Sequence, residues 1–122
     1  MKFTESHEWI EVNTGSVVAT VGVSNYAQKE LGEIVYVELP GINKEVRAGS
    51  EAAVLESTKA AADVYAPVSG IIIDVNKQLS SAPELVNRSP EKEGWIFKIR
   101  LSDQSELTKL MDAETYHAKY KV

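Results

Sequence analysis

Short runs rich in Val, Ile and Thr recur along this chain, each stopped within a few positions by Gly, Pro, Asn or Ser, the pattern of short strands joined by tight turns. Ser16–Val23 is one such run and Ile34–Leu39 another, the second ending at Pro40-Gly41. Ala52–Glu56, Asp63–Val68 and Gly70–Val75 continue the series, and Trp9–Val12 is a weaker candidate interrupted by Glu11. The cleanest alternation comes late: Trp95, Phe97, Ile99 and Leu101 fall on one face, Lys98 and Arg100 on the other, so this strand has one wet side. Two segments read as helix instead. Ser24 caps a short one whose apolar side is Tyr26, Ala27 and Leu31, and Gly32 ends it. Near the C-terminus Ser102 or Asp103 caps another in which Leu107, Leu110 and Met111 recur at helical spacing. These signals predict a mainly β fold, a small sandwich or flattened barrel, with a short internal helix and a C-terminal helical segment over about 103–120 packed outside. With no linker or low-complexity stretch, residues 1–122 read as one domain.

The chain contains no cysteine, which excludes a disulfide, a thiolate metal site and a cysteine nucleophile. Any redox chemistry must therefore arrive on another group. Thirteen Lys and Arg against 18 Asp and Glu give a formal net charge of -5, a field that repels polyphosphate, and no basic run offers a nucleic-acid patch. The longest aliphatic stretch, Ile71-Ile72-Ile73, is far short of a membrane span, and residues 1–8 lack the composition of a signal or transit segment. The expectation is a cytoplasmic protein binding neither nucleic acid nor membrane.

Catalytic motifs are missing as well. There is no glycine-rich phosphate loop and no nucleophile elbow. His7 and His117 stand at opposite ends of the chain and belong to no metal-ligand spacing. No metal site is expected.

One segment stands apart, Leu55-Glu56-Ser57-Thr58-Lys59-Ala60-Ala61-Ala62-Asp63-Val64 and on to Pro67-Val68-Ser69-Gly70. Two strand-like arms flank a stretch of small residues, and a hairpin over about 52–70 would hold Lys59 at an exposed tip. On spacing alone this is one more solvated surface lysine. Its neighbours Thr58, Ala60, Ala61 and Ala62 are small, leaving the amine open to a modifying enzyme, with Glu56 and Asp63 as charged handles on either side. An exposed amine suits acylation better than Schiff-base catalysis, which needs a desolvated lysine.

The chain resembles the lipoyl-carrying H-protein family of the glycine cleavage system over nearly its whole length. The ordered blocks that carry the resemblance are Ser6-His7-Glu8-Trp9, Val21-Gly22-Val23-Ser24-Asn25-Tyr26-Ala27-Gln28, Leu31-Gly32-Glu33-Ile34-Val35-Tyr36-Val37-Glu38-Leu39-Pro40, Glu56-Ser57-Thr58-Lys59-Ala60, Glu84-Leu85-Val86-Asn87 and Gly94-Trp95. Biotin carriers have a similar hairpin but place methionines beside the modified lysine, where this chain has Thr58 and Ala60.

The resemblance implies a lipoyl-domain-like fold, a barrel-sandwich hybrid, and a monomeric carrier with no catalysis of its own. A lipoate ligase or a lipoyl or octanoyl transferase would join (R)-lipoate to Lys59. The arm would take the aminomethyl group of glycine from the pyridoxal-phosphate glycine decarboxylase (P protein) to the tetrahydrofolate-dependent aminomethyltransferase (T protein). Dihydrolipoamide dehydrogenase (L protein) would then reoxidise it. By the same resemblance Glu56 is read by the lipoylating enzyme, and Ser6, Glu8 and Asp63 line the cleft that shelters the loaded arm. A second implied role is a lipoyl relay, donating the group on Lys59 to subunits of 2-oxo-acid dehydrogenases.

Three positions depart from the family pattern. Pro90-Glu91-Lys92-Glu93-Gly94-Trp95 replaces a frequent Pro-Tyr-Gly turn, so this surface loop is expected to differ. Thr58 stands where Val is frequent, and Tyr26 where His occurs. Lys59 is untouched by all three.

Overall fold

A computed structural model describes residues 1–121. Ten strands form two antiparallel sheets. The larger has seven, β1 (Lys2–Phe3), β2 (Glu8–Val12), β3 (Val18–Val23), β5 (Glu45–Val46), β8 (Gly70–Val75), β9 (Phe97–Leu101) and β10 (Met111–Asp112), in the order β10-β1-β2-β3-β9-β8-β5. The smaller is β4 (Ile34–Glu38), β6 (Glu51–Ser57) and β7 (Ala61–Tyr65), with β6 central. Neither sheet closes on itself, and the result is a lipoyl-domain-like sandwich.

Packing follows the alternation of the strands. Ile10, Ala19, Val21, Ile72, Phe97 and Ile99 of the large sheet face Ile34, Val37, Leu55 and Val64 of the small one in a single buried cluster. In β9 the expected faces are observed, with Phe97, Ile99 and Leu101 buried and Arg100 exposed. Trp95 lies before the strand, half-buried, with the Lys98 ammonium 5.2 Å from its ring centroid. Trp9 is a core aromatic, and its indole N–H donates to the Pro90 carbonyl at 3.0 Å. That bond ties the unusual 90–95 loop to β2.

The first helix, α1 (Asn25–Leu31), has the expected limits. The Ser24 hydroxyl accepts from the Ala27 N–H, and Gly32 ends the helix at φ 83°, where a side chain is strained. Two further short helices, α2 (Gln78–Ser81) and α3 (Leu85–Arg88), fill the 76–90 region.

The C-terminal region is not one helix. A 3-10 turn, Gln104–Lys109, begins after Asp103, whose carboxylate accepts from the Ser105 N–H. The chain then extends into β10 and restarts as α4 (Ala113–Lys119), capped by Asp112 through the Thr115 N–H at 2.8 Å. Helical spacing grouped Met111 with Leu107 and Leu110, but only those two pack on the main core. Met111 pairs with Phe3 in β1 and joins a second small cluster of Phe3, Trp9 and Tyr116. An edge strand of two residues offers backbone partners that outweigh a continued helix, and an aspartate capping the next turn makes the break cheap.

Candidate functional site

The hairpin of β6 and β7 spans 51–65, shorter than the expected 52–70 and tighter at its tip, its arms pairing out to Glu56 and Ala61. The second arm ends at Tyr65, and Ala66, Pro67 and Val68 are buried beyond it. Only Thr58, Lys59 and Ala60 remain at the tip, all exposed. Such a tight connection normally has left-handed residues, yet among the described residues the only non-glycine positions with positive φ are His7 and Asn43. Ser57 compensates. Its hydroxyl accepts from both the Lys59 and Ala60 N–H groups at 3.1 Å and donates to the Ala60 carbonyl, while its own N–H donates to that carbonyl at 2.8 Å. The tip is therefore a held turn, with Lys59 projecting from a fixed base.

The Lys59 side chain leans back toward the end of α1. Its Nζ donates to the Glu30 carbonyl at 3.1 Å, and Gly32 is so close that a Cβ there would lie 3.1 Å from Lys59 Cε. Asn87 in α3 fixes this corner: it accepts from the Ile34 N–H and donates to the Gly32 carbonyl, both at 2.8 Å, and to the Gln28 side chain. No chemical signal marked Asn87 or Ser57 in the sequence. Both act through backbone hydrogen bonds, which reveal themselves only once the chain is folded.

Beside this corner opens a cleft of about 160 Å³. The N-terminal segment supplies Ser6, His7 and Glu8, α1 supplies Ala27, Glu30 and Leu31, and the hairpin supplies Leu55 and Ala62 to Val64. A larger groove of about 480 Å³ between Tyr26, Glu91, Tyr116 and Tyr120 contains none of Lys59, Glu8 and Asp63. The smaller one adjoins the lysine.

Glu8 is 1% exposed, a depth that a carboxylate tolerates only when its oxygens are well satisfied. One oxygen accepts from the Thr4 and Ser6 hydroxyls, each at 2.5 Å, and the other from the Tyr65 N–H at 3.1 Å. Ser6 thus reaches the cleft as a partner of Glu8. Asp63 lies on the rim and is exposed; it pairs with Val54 in register, which turns its side chain to the outer face of the hairpin. Glu56 is exposed beside the tip, opposite Tyr36. Of the five residues singled out, Ser6, Glu8 and Asp63 share the cleft, Lys59 reaches its edge through Glu30, and Glu56 stands outside. The 90–95 loop contributes differently: the Glu91 carboxylate accepts from the Asn25 N–H at the start of α1 at 3.0 Å.

His7 joins the cleft to the C-terminal helix. At φ 76° it has an uncommon backbone for a residue with a side chain, and its Nδ1 lies 2.8 Å from the Tyr116 hydroxyl, which lies 2.7 Å from Ser24 Oγ. Burial pushes the imidazole below its ordinary value of 6.5, an effect the Glu8 and Glu30 carboxylates partly offset. The unfolded chain therefore binds the proton more readily, so this contribution to stability is full above pH 6.5 and is lost as pH falls toward the lowered value. Unfolding midpoints in urea should fall on acidification from pH 7 to 5.5 more in the parent than in His7→Gln; parallel curves would contradict this.

Among the described residues no group of acids and histidines is arranged to hold a metal. A lipoyl group fits what is present: an exposed primary amine for its carboxyl, and a cleft whose walls include Val23, Leu31 and Leu55 with a carboxylate at Glu8. This fold and site define a protein of the lipoyl-domain-like class, with one lysine exposed at the tip of its hairpin.

Comparison with known proteins makes that class specific. The family described as Glycine cleavage H-protein matches residues 1–122. The glycine cleavage system H protein of Thermotoga maritima is 51% identical over 115 residues, covering 94% of this chain and 91% of that one. Its counterpart in Vibrio vulnificus is 52% identical over 116 residues, covering 95% and 91%. A crystal structure of a glycine cleavage system H protein from Mycobacterium marinum superposes with a TM-score of 0.88 at 30% identity, covering 99% of this chain and 96% of that one. The chain belongs to the glycine cleavage H-protein family, and with it to the glycine cleavage system.

Proposed function

We propose that Lys59 carries lipoate as an amide and that the chain shuttles the aminomethyl group of glycine among the enzymes of the system. The observation that carries this reading is the lysine itself, exposed on a tip braced by Ser57 and leaning onto the edge of a cleft containing a buried carboxylate. When bound, lipoate supplies a disulfide that accepts the one-carbon unit with reduction and is regenerated by oxidation of the resulting dithiol. The protein's own residues present, shelter and release. Ser57 and Asn87 fix the point from which the arm swings. Glu8, held in place by two hydroxyls and an amide, offers a partner for an amine entering the cleft, with Ser6 supporting it and Asp63 at the rim. Attachment makes the chain one charge more negative and leaves Lys59 with an N–H still able to donate to Glu30.

The decarboxylase, the aminomethyltransferase and dihydrolipoamide dehydrogenase are its proposed partners, with a lipoate ligase or transferase loading the arm, and the chain is proposed to act as a cytoplasmic monomer. A reconstitution with these enzymes, glycine, tetrahydrofolate and NAD should form NADH only when the chain is lipoylated. No NADH from active enzymes, alongside lipoyl transfer from this chain to a 2-oxo-acid dehydrogenase subunit, would favour the relay role instead.

A further inference from the structure

The outer face of the small sheet has a composition that carrier geometry alone does not require. In β4 a bulge between Ile34 and Tyr36 breaks the alternation, burying Ile34 and Val37 and turning Val35 and Tyr36 outward together, each 51% exposed. Cross-strand register extends the face. Tyr36 stands opposite Glu56, which stands opposite Ala61; in the next row Glu38 stands opposite Val54, which stands opposite Asp63. Two adjacent exposed apolar side chains are thus bordered by three carboxylates. Among the described residues the one ion pair is Lys119 with Glu5, and the carboxylates of Glu38, Glu56 and Asp63 accept no hydrogen bond from the chain. Lys44 is the basic residue at the far end, sharing a small hollow with Glu38.

We infer that this face is the docking surface of the enzyme that acylates Lys59, and that Tyr36 is its anchor, engaging an apolar recess rimmed by basic side chains. The inference rests on the reading that Lys59 is lipoylated. Three observations favour this occupant. The new bond forms at Nζ: the amine attacks the carbonyl of an acyl-adenylate made from lipoate and ATP, the amide C–N bond forms as the acyl–phosphate bond breaks, AMP leaves and two protons pass to solvent. The active site must therefore descend to the tip and cover its surroundings, where Glu56 lies three residues before Lys59 and Tyr36 one strand across from Glu56, at a strand spacing of about 4.8 Å. Enzymes acting on the sulfur end of the arm meet it an arm's length from this face. Apart from Lys44 at the far end, the charge bordering the face is also negative, which steers a basic partner and repels other acidic chains. Finally, a tyrosine beside a bulge is both the residue type and the local device that recur at binding surfaces.

Initial rates of lipoyl addition, followed by intact mass against the concentration of unmodified chain with lipoate ligase, ATP and lipoate, test this. Tyr36→Ala should raise KM for the chain about tenfold with kcat within twofold of the parent, the loss of a moderate interface anchor. Glu38→Lys should raise KM at low salt, with the difference closing as ionic strength rises. Unchanged KM in both variants overturns the inference. So does normal attachment combined with a raised KM of the lipoylated variants toward the decarboxylase, which would give the face to an arm-end enzyme. Failure of the parent chain to acquire any lipoyl group would remove the underlying reading instead. Equal thermal midpoints, and a near-parental KM for Tyr36→Phe, separate docking from folding.

Discussion

Lys59→Arg should acquire no lipoyl group under conditions that load the parent chain with one, and should lose all activity in the glycine cleavage reaction. The expected effect is total because guanidinium nitrogen is not an acyl acceptor under these conditions, and Lys59 is the one lysine in the β6–β7 hairpin among the described residues. The substitution keeps the positive charge and most of the side-chain length, and Lys59 is exposed, so the fold has no reason to respond. Loss of loading in a chain with an unaltered unfolding midpoint therefore locates the attachment site. Intact-mass data showing equal loading of the mutant would place the arm elsewhere and dissolve the relation between hairpin and cleft.

The second large effect falls on stability. Glu8→Ala removes the acceptor of three hydrogen bonds at a position 1% exposed. The Tyr65 N–H is left without its partner at the root of the hairpin, and the Thr4 and Ser6 hydroxyls lose a charged one. Bonds to charged groups contribute about 1.5–3 kcal/mol each, but the hydroxyls can turn to water, so the expected loss is about 3 kcal/mol. That is a large share of the 5–15 kcal/mol typical of a domain. Glu8→Gln keeps one acceptor oxygen and should lose about half as much. Urea titrations of the three proteins measure this directly, and a Glu8→Ala curve within 0.5 kcal/mol of the parent, roughly the scatter of a surface substitution, would show that the network contributes little.

What could be read from the sequence follows from how local each signal is. The strand runs, the Ser24 and Gly32 limits of α1, the face alternation of β9 and the exposed lysine are each written in a few adjacent residues, and the structure has them. The grouping of Ser6, Glu8 and Asp63 comes from family resemblance, since two N-terminal residues and one in the hairpin share no spacing. The C-terminal region misled for a physical reason. Leu107, Leu110 and Met111 have helical periodicity, but periodicity is blind to the edge strand β1, whose Phe3 claims Met111. Ser57 and Asn87 were silent because their work is to satisfy backbone groups. At the hairpin tip, where the sequence has neither glycine nor Asn-Gly, a serine hydroxyl holds the tight turn. The absence of cysteine, by contrast, keeps its meaning. A lipoyl arm on this chain would find no thiol of its own protein with which to exchange.

The central claim is that this lysine serves glycine cleavage, and one measurement addresses it most directly: glycine-dependent exchange of labelled bicarbonate, with the pyridoxal-phosphate decarboxylase and this chain as the only two proteins. The fully lipoylated chain should support exchange that saturates with its concentration, and the unmodified chain and Lys59→Arg should support none. Absence of exchange with a fully lipoylated chain, under conditions where the same decarboxylase exchanges with a relative of known activity, would contradict the account.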